Sequence, residues 1–161
     1  MTAFKETQRF PRTWILVILI LTAPIFILMA FRALNGFMVS QWDPLIWFSL
    51  IIIPLVIIFM NMIRMTTHLD ETGIEVQFYP IHRKPRFFPW SEIRSAEVRK
   101  YRPLWEYGGW GIRIGPKGKA YNISGKQGLQ LVFRNGKQLL IGTQQPSELQ
   151  DVIDEISRKR D

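Results

Sequence analysis

The chain is 161 residues long and carries 21 Lys and Arg against 13 Asp and Glu, a formal net charge of +8, with 47% hydrophobic residues and no cysteine. Lack of cysteine excludes disulfides and thiolate catalysis or ligation, and with only His68 and His82 as imidazoles a metal centre would have to be mostly carboxylate. No metal and no cofactor is expected.

Residues 1–13 read as a short tail containing Lys5, Arg9 and Arg12. From Trp14 to Phe31, and again from Pro44 to Ile63, there is no ionisable residue. At ~1.5 Å per helical residue these runs reach roughly 27 and 30 Å, matching a hydrocarbon core of about 30 Å. A transmembrane hairpin is therefore predicted, with spans 14–31 and 44–63 and an external loop 32–43. The first run is longer than a signal-peptide core and ends at Arg32 without an Ala-x-Ala pattern, so it reads as an uncleaved anchor. Three basic residues precede the first span, the loop holds only Arg32, and Arg64 follows the second span. Positive-inside counting then places both termini in the cytoplasm of a multi-pass plasma-membrane protein. Trp14, Trp42 and Trp47 fall near the interfaces that indoles favour, and Pro24 and Pro54 sit near mid-span, where each removes a helix hydrogen bond. Thr22, Ser49 and Asn61 are too few polar groups for a transport pathway, which leaves transport only as an accessory-subunit role in a larger complex.

Beyond the spans about 98 residues remain, enough for one compact core. From Met65 onward 16 Lys and Arg face 11 Asp and Glu, an excess that an anionic lipid surface would attract. The period changes to two: Ile74, Val76 and Phe78 alternate with Glu75, Gln77 and Tyr79, describing a strand with one buried face. A turn at Asp70-Glu71-Thr72-Gly73 links it to a strand near Met65 to Leu69, so the second span leads almost directly into a sheet. Further strands are predicted at Arg86 to Phe88, Ser95 to Tyr101, Gly109 to Gly115, Lys119 to Ser124, Leu129 to Phe133 and Lys137 to Gly142. Asn135-Gly136 in the last hairpin suits a type I′ turn. Pro146 then opens a helix over about 146–159 whose Leu149, Val152, Ile153 and Ile156 follow i, i+3, i+4, i+7. The expected fold of residues 65–161 is mainly β, about seven antiparallel strands in a bent sheet or partly open barrel capped by that helix.

Four segments suggest a relationship: Phe88-Pro89-Trp90-Ser91-Glu92-Ile93, Tyr107-Gly108-Gly109-Trp110-Gly111-Ile112-Arg113, Tyr121-Asn122-Ile123-Ser124-Gly125, and Ile141-Gly142-Thr143-Gln144-Gln145-Pro146 leading into the helix. With two spans before them, they resemble the bacterial membrane-anchored proteins that carry a pleckstrin-homology-like domain. The resemblance implies a binding or scaffolding module without catalysis. Lipid-binding relatives hold headgroups with basic residues around the first hairpin loop, whereas here that loop carries Asp70 and Glu71, so recognition at that site is not expected.

Two surfaces are candidates. Arg83, Lys84 and Arg86 form a dense basic loop suited to anionic headgroups. Around Gly109, Gly111 and Gly115 the bulky Trp110, Ile112 and Ile114 share one face, and the glycine face is predicted to accept a partner's backbone or ring, with Tyr107 and Arg113 as polar contacts. There is no dinucleotide fingerprint, phosphate loop or nucleic-acid-reading motif, and Asp151, Asp154 and Glu155 lie on the polar side of the last helix. The expectation is a non-enzymatic integral membrane protein presenting its β domain as a docking or assembly module for a membrane-protein partner or for itself. The alternative is an anionic-lipid-responsive surface module.

Overall fold

A computed structural model describes residues 4–35 and 44–160, and side chains in the second helix from Ile51 onward. Residues 36–43, with Trp42 and most of the predicted 32–43 loop, lie outside the described residues. The chain divides into two compact units, one made of Phe10–Met62 and the other of Met1–Arg9 together with Ile63–Asp161.

The Phe10–Met62 unit holds α1 (Thr13–Leu34) and α2 (Pro44–Met62), with Pro24 and Pro54 inside them. Within α1, Thr13–Arg32 is long and apolar enough to cross a membrane, and α2 contributes a shorter described apolar stretch, Ile51–Met62. Two polar side chains in these helices are satisfied locally: Thr22 Oγ1 donates to the Ile18 carbonyl at 2.9 Å and Asn61 Nδ2 to the Ile57 carbonyl at 2.7 Å.

The other unit is mainly β. Its first sheet is a four-stranded antiparallel meander, β1 (Phe4–Arg9), β2 (Arg64–Leu69), β3 (Gly73–Tyr79) and β4 (Arg86–Pro89), in that order. Register lines up one buried face in rows: Phe4, Leu69, Ile74 and Phe88; then Glu6, Thr67 and Val76; then Gln8, Met65 and Phe78. The strand β1 differs from the tail expected over residues 1–13. Two of its three inward residues are Glu6 and Gln8, so the apolar alternation that reveals β3 is missing from it.

After a 3-10 turn at Trp90–Glu92 the second sheet follows, built from β5 (Ile93–Lys100), β6 (Gly111–Gly115), β7 (Gly118–Asn122), β8 (Gln127–Phe133) and β9 (Gln138–Thr143). Its spatial order is β5-β8-β9-β7-β6. The expected all-antiparallel pairing holds except between β7 and β9, which run parallel with Lys119 beside Leu139 and Tyr121 beside Ile141. The strand β9, flanked by β7 and β8, is buried from Leu139 to Thr143, which makes it the centre of the core. The turn at Asn135-Gly136 is not type I′: only Gly136 has positive φ (79°), and its N–H donates to the Phe133 carbonyl at 3.0 Å while Phe133 N–H reaches the Lys137 carbonyl at 2.9 Å. That is the three-residue hairpin loop with a left-handed glycine, in which Asn135 keeps negative φ.

Between β5 and β6 the short α3 (Pro103–Tyr107) is started by Pro103 and ended by Gly108 in the left-handed region, φ 71°. The closing helix α4 (Pro146–Arg160) buries Leu149, Val152, Ile153 and Ile156, the stripe its spacing predicts, against β5 and β1. It therefore touches both sheets.

Candidate functional site

The loop joining β3 to β4 carries the basic group. Gln77 Nε2 donates to the carbonyls of His82 and Arg83, both at 3.3 Å, which fixes the loop backbone against β3. His82 is buried, its ring edge-on to Tyr121 with centroids 5.3 Å apart. Burial, and after it the positive charge of Arg86, pushes the His82 imidazole below its ordinary value, so it is neutral at physiological pH. Arg86 donates to the Tyr121 hydroxyl at 3.1 Å, which aims its guanidinium toward the second sheet, whereas Arg83 and Lys84 stay in solvent beside an Ile81 that is 59% exposed. The predicted trio is thus split into two surface cations and one cation tied to β7.

Register decides where this loop emerges. Arg9, Arg64 and Tyr79 are opposite one another at one end of the first sheet, with the Arg64 guanidinium 4.9 Å from the Tyr79 ring centre. The chain leaves β1 toward α1 at Arg9 and returns from α2 at Arg64, with only Ile63 between Met62 and that strand. The loop starting at Pro80 therefore leaves the sheet at the end where both helices join it, gathering Arg9, Arg64, Arg83 and Lys84. Asp70 and Glu71 lie at the opposite end. Asp70 Oδ1 accepts from the Thr72 hydroxyl and from the N–H groups of Thr72 and Gly73, at 2.8 Å and 3.0 Å for the two amides, and the hydroxyl bond chiefly lowers its pKa. Glu71 pairs with Lys159 of α4 at 3.2 Å. Those carboxylates hold structure.

The second predicted face is arranged differently from expectation. Tyr107 is buried at 3% exposure, edge-on to Tyr101 with centroids 6.1 Å apart and beside Ala120 and Leu140, so its ring belongs to the core and not to a docking surface. The strand β6 is the outer strand of its sheet; Trp110 and Ile112 are half-buried and Ile114 is 78% exposed, so these three do not form a buried face. Gly109 (φ 125°) and Gly111 (φ 110°) adopt backbone that side chains resist, and a Cβ on either would come within about 4 Å of the Arg113 guanidinium. Arg113 Nε donates to the Trp110 carbonyl at 2.9 Å. The glycine face is thus covered by the chain's own arginine.

Sequence reasoning missed α3, which presents Leu104 (63% exposed) and Trp105 (85% exposed) in a shallow depression shared with Arg102, Trp110 and Lys126. Pro103 at the first helical position and Gly108 just past the end were the available signals. The base of α3 is firm: Glu106 accepts from Arg99 Nη2 at 2.9 Å and from the Arg102 N–H at 2.8 Å, and pairs with Lys117 at 3.4 Å. Burial works to raise the Glu106 pKa, but these donors outweigh it and hold the carboxyl at about 2. Among the described residues no three His, Asp or Glu side chains converge as a metal-ligand set. No family model, curated protein or solved structure matches this chain.

Proposed function

We propose that this chain is a non-enzymatic integral membrane protein in which α1 and α2 span the plasma membrane and hold the β unit at the cytoplasmic face, where one end of its first sheet responds to anionic lipid. The observation that carries this reading is the placement of Arg9, Arg64, Arg83 and Lys84 at the sheet end where both apolar helices join. Only Ile63 separates the end of α2 from β2. Four cations near an anionic surface contribute about 1 kcal/mol each, an attraction that salt weakens over a Debye length of ~8 Å. Ile81, exposed between these cations, would enter the interface. A pleckstrin-homology-like plan is supported by the two sheets and the closing helix that packs on both, although the parallel β7–β9 pair departs from it.

The alternative role, protein docking, loses support at Tyr107 and at the glycine face. It keeps one specific feature, the outer edge of β6, which pairs with no strand on that side among the described residues and where a partner's strand could add.

A cysteine-free chain makes the test clean. Ile81→Cys in the full-length chain, labelled with an environment-sensitive nitrobenzoxadiazole, is compared in nanodiscs of neutral and of phosphatidylglycerol-containing lipid. The reading expects a blue shift with anionic lipid that is lost on adding Arg83→Glu and Lys84→Glu, or in high salt. Identical spectra in both lipids refute it.

A further inference from the structure

We propose that the cleft between β4 and the two hairpin turns of the second sheet binds an amphipathic organic anion, a phosphate or carboxylate carrying an aromatic or short alkyl body. The cleft has a volume of about 560 Å³, within the range of small-molecule sites. It lies within the β unit and is independent of the lipid-responsive end.

The parallel pairing of β7 with β9 creates it. Because both strands start at the same end of the sheet, the turn before Lys119 and the turn before Gln138 lie side by side and bring Lys117, Lys119 and Lys137 together. Across from them β4 supplies Arg86 and Phe88, and the 3-10 turn supplies Glu92. Four cations thus face one carboxylate.

These cations are not equivalent. Lys117 is paired with Glu106 at 3.4 Å, and one Arg86 N–H is spent on the Tyr121 hydroxyl, leaving further donors on the same guanidinium. Lys119 and Lys137 make no ion pair among the described residues. A bare anion would need no more than this. Besides Asn135, Gln138 and Tyr121 the lining also has an apolar part: Phe88 and Phe133 pack with ring centres 5.5 Å apart, Leu139 lies beside them, and Ile114 stands at the lip with 78% of its surface in water. A floor of rings beneath a cationic rim selects a ligand with both parts, since inorganic phosphate leaves the floor wet and a neutral ring leaves the lysines unpaired.

The test is isothermal titration of the full-length chain in neutral-lipid nanodiscs with 1-naphthyl phosphate, inorganic phosphate and 1-naphthol. The naphthyl phosphate is expected to bind at least about tenfold more tightly than either fragment, a gap of about 1.4 kcal/mol. Lys119→Glu with Lys137→Glu should weaken it by about tenfold or more, and Ile114→Asp by several-fold; all three side chains are exposed, so the fold is unaffected. Arg83→Glu with Lys84→Glu should leave it unchanged. Competition in discs doped with lysophosphatidate separates the two sources of the same chemistry, displacement assigning the bilayer and its absence a soluble anion. Equal affinity for inorganic phosphate, or equal loss in the Arg83 and Lys84 pair, overturns the proposal.

Discussion

The removal of one carboxylate near the N-terminus should loosen the far end of the β unit. Glu6 is 6% exposed, and its two oxygens accept from the Thr143 hydroxyl and from the Gln144 N–H, both at 2.7 Å, while Gln8 Nε2 donates to the Gly142 carbonyl at 2.7 Å. Thr143 Oγ1 in turn accepts from the Gln145 N–H at 3.0 Å, just before α4 begins. Glu6 therefore fixes the turn that sets α4 on its apolar stripe. Hydrogen bonds to a charged group contribute about 1.5–3 kcal/mol each, so Glu6→Ala should cost about 3 kcal/mol at the low end of two such bonds. Against a domain stability on the order of 5–15 kcal/mol that is a large fraction. Glu6→Gln retains one acceptor and should cost about 1 kcal/mol. The assay is urea unfolding of the full-length chain in neutral-lipid nanodiscs, followed by near-ultraviolet circular dichroism, with Thr143→Val completing a double-mutant cycle. A coupling of about 1 kcal/mol or more is expected. A Glu6→Ala loss under about 0.5 kcal/mol, or Glu6 and Thr143 effects that add within about 0.5 kcal/mol, would refute this account of how β1 is held.

Two further outcomes follow from α3. Since the Glu106 carboxyl is held at about 2, below its ordinary 4.5, its ionised form stabilises the folded chain above about pH 4.5, and that contribution disappears as pH falls toward 2. With partial solvent screening Glu106→Gln should cost about 1–2 kcal/mol near neutral pH and flatten the acid limb of the urea-midpoint profile; an acid limb that overlays the parent's counts against the Arg99 and Arg102 contacts. Leu104→Ser with Trp105→Ser, by contrast, removes large apolar side chains that are mostly in water, and the urea midpoint should move by less than about 0.5 kcal/mol; a core-sized loss would show that these side chains are covered.

Much of the architecture was legible because it is written in local patterns. The alternation of Ile74, Val76 and Phe78 and the spacing of Leu149, Val152, Ile153 and Ile156 each report which side of one element meets water, and both emerge buried as read. Apolar continuity marked Trp14–Phe31, which lies inside the long apolar helical segment Thr13–Arg32. The basic loop could be found by composition, but not its direction, since that depends on Arg9 and Arg64 pairing across the helices that separate them.

Elsewhere local pattern had nothing to report. In β1 the inward carboxylate of Glu6 is tolerated because Thr143 and Gln144, more than a hundred residues away, donate to both its oxygens, and the Gly142 carbonyl accepts from Gln8 Nε2. In β6 alternation puts Trp110, Ile112 and Ile114 on one face, but it does not report how much of that face is covered, and at the outer strand Ile114 stays in solvent. The sequence by itself determined that Trp14–Phe31 is apolar throughout, that Ile74, Val76 and Phe78 alternate along one strand and which face of the last helix is apolar, because each follows from the solvent preference of successive side chains. Only the tertiary structure decided that residues before α1 complete the first sheet, that β7 lies parallel to β9, and that Lys119, Lys137 and Arg86 surround one cleft. Those outcomes depend on pairing between distant strands, where register and long-range hydrogen bonding select the partner and no local periodicity records the choice.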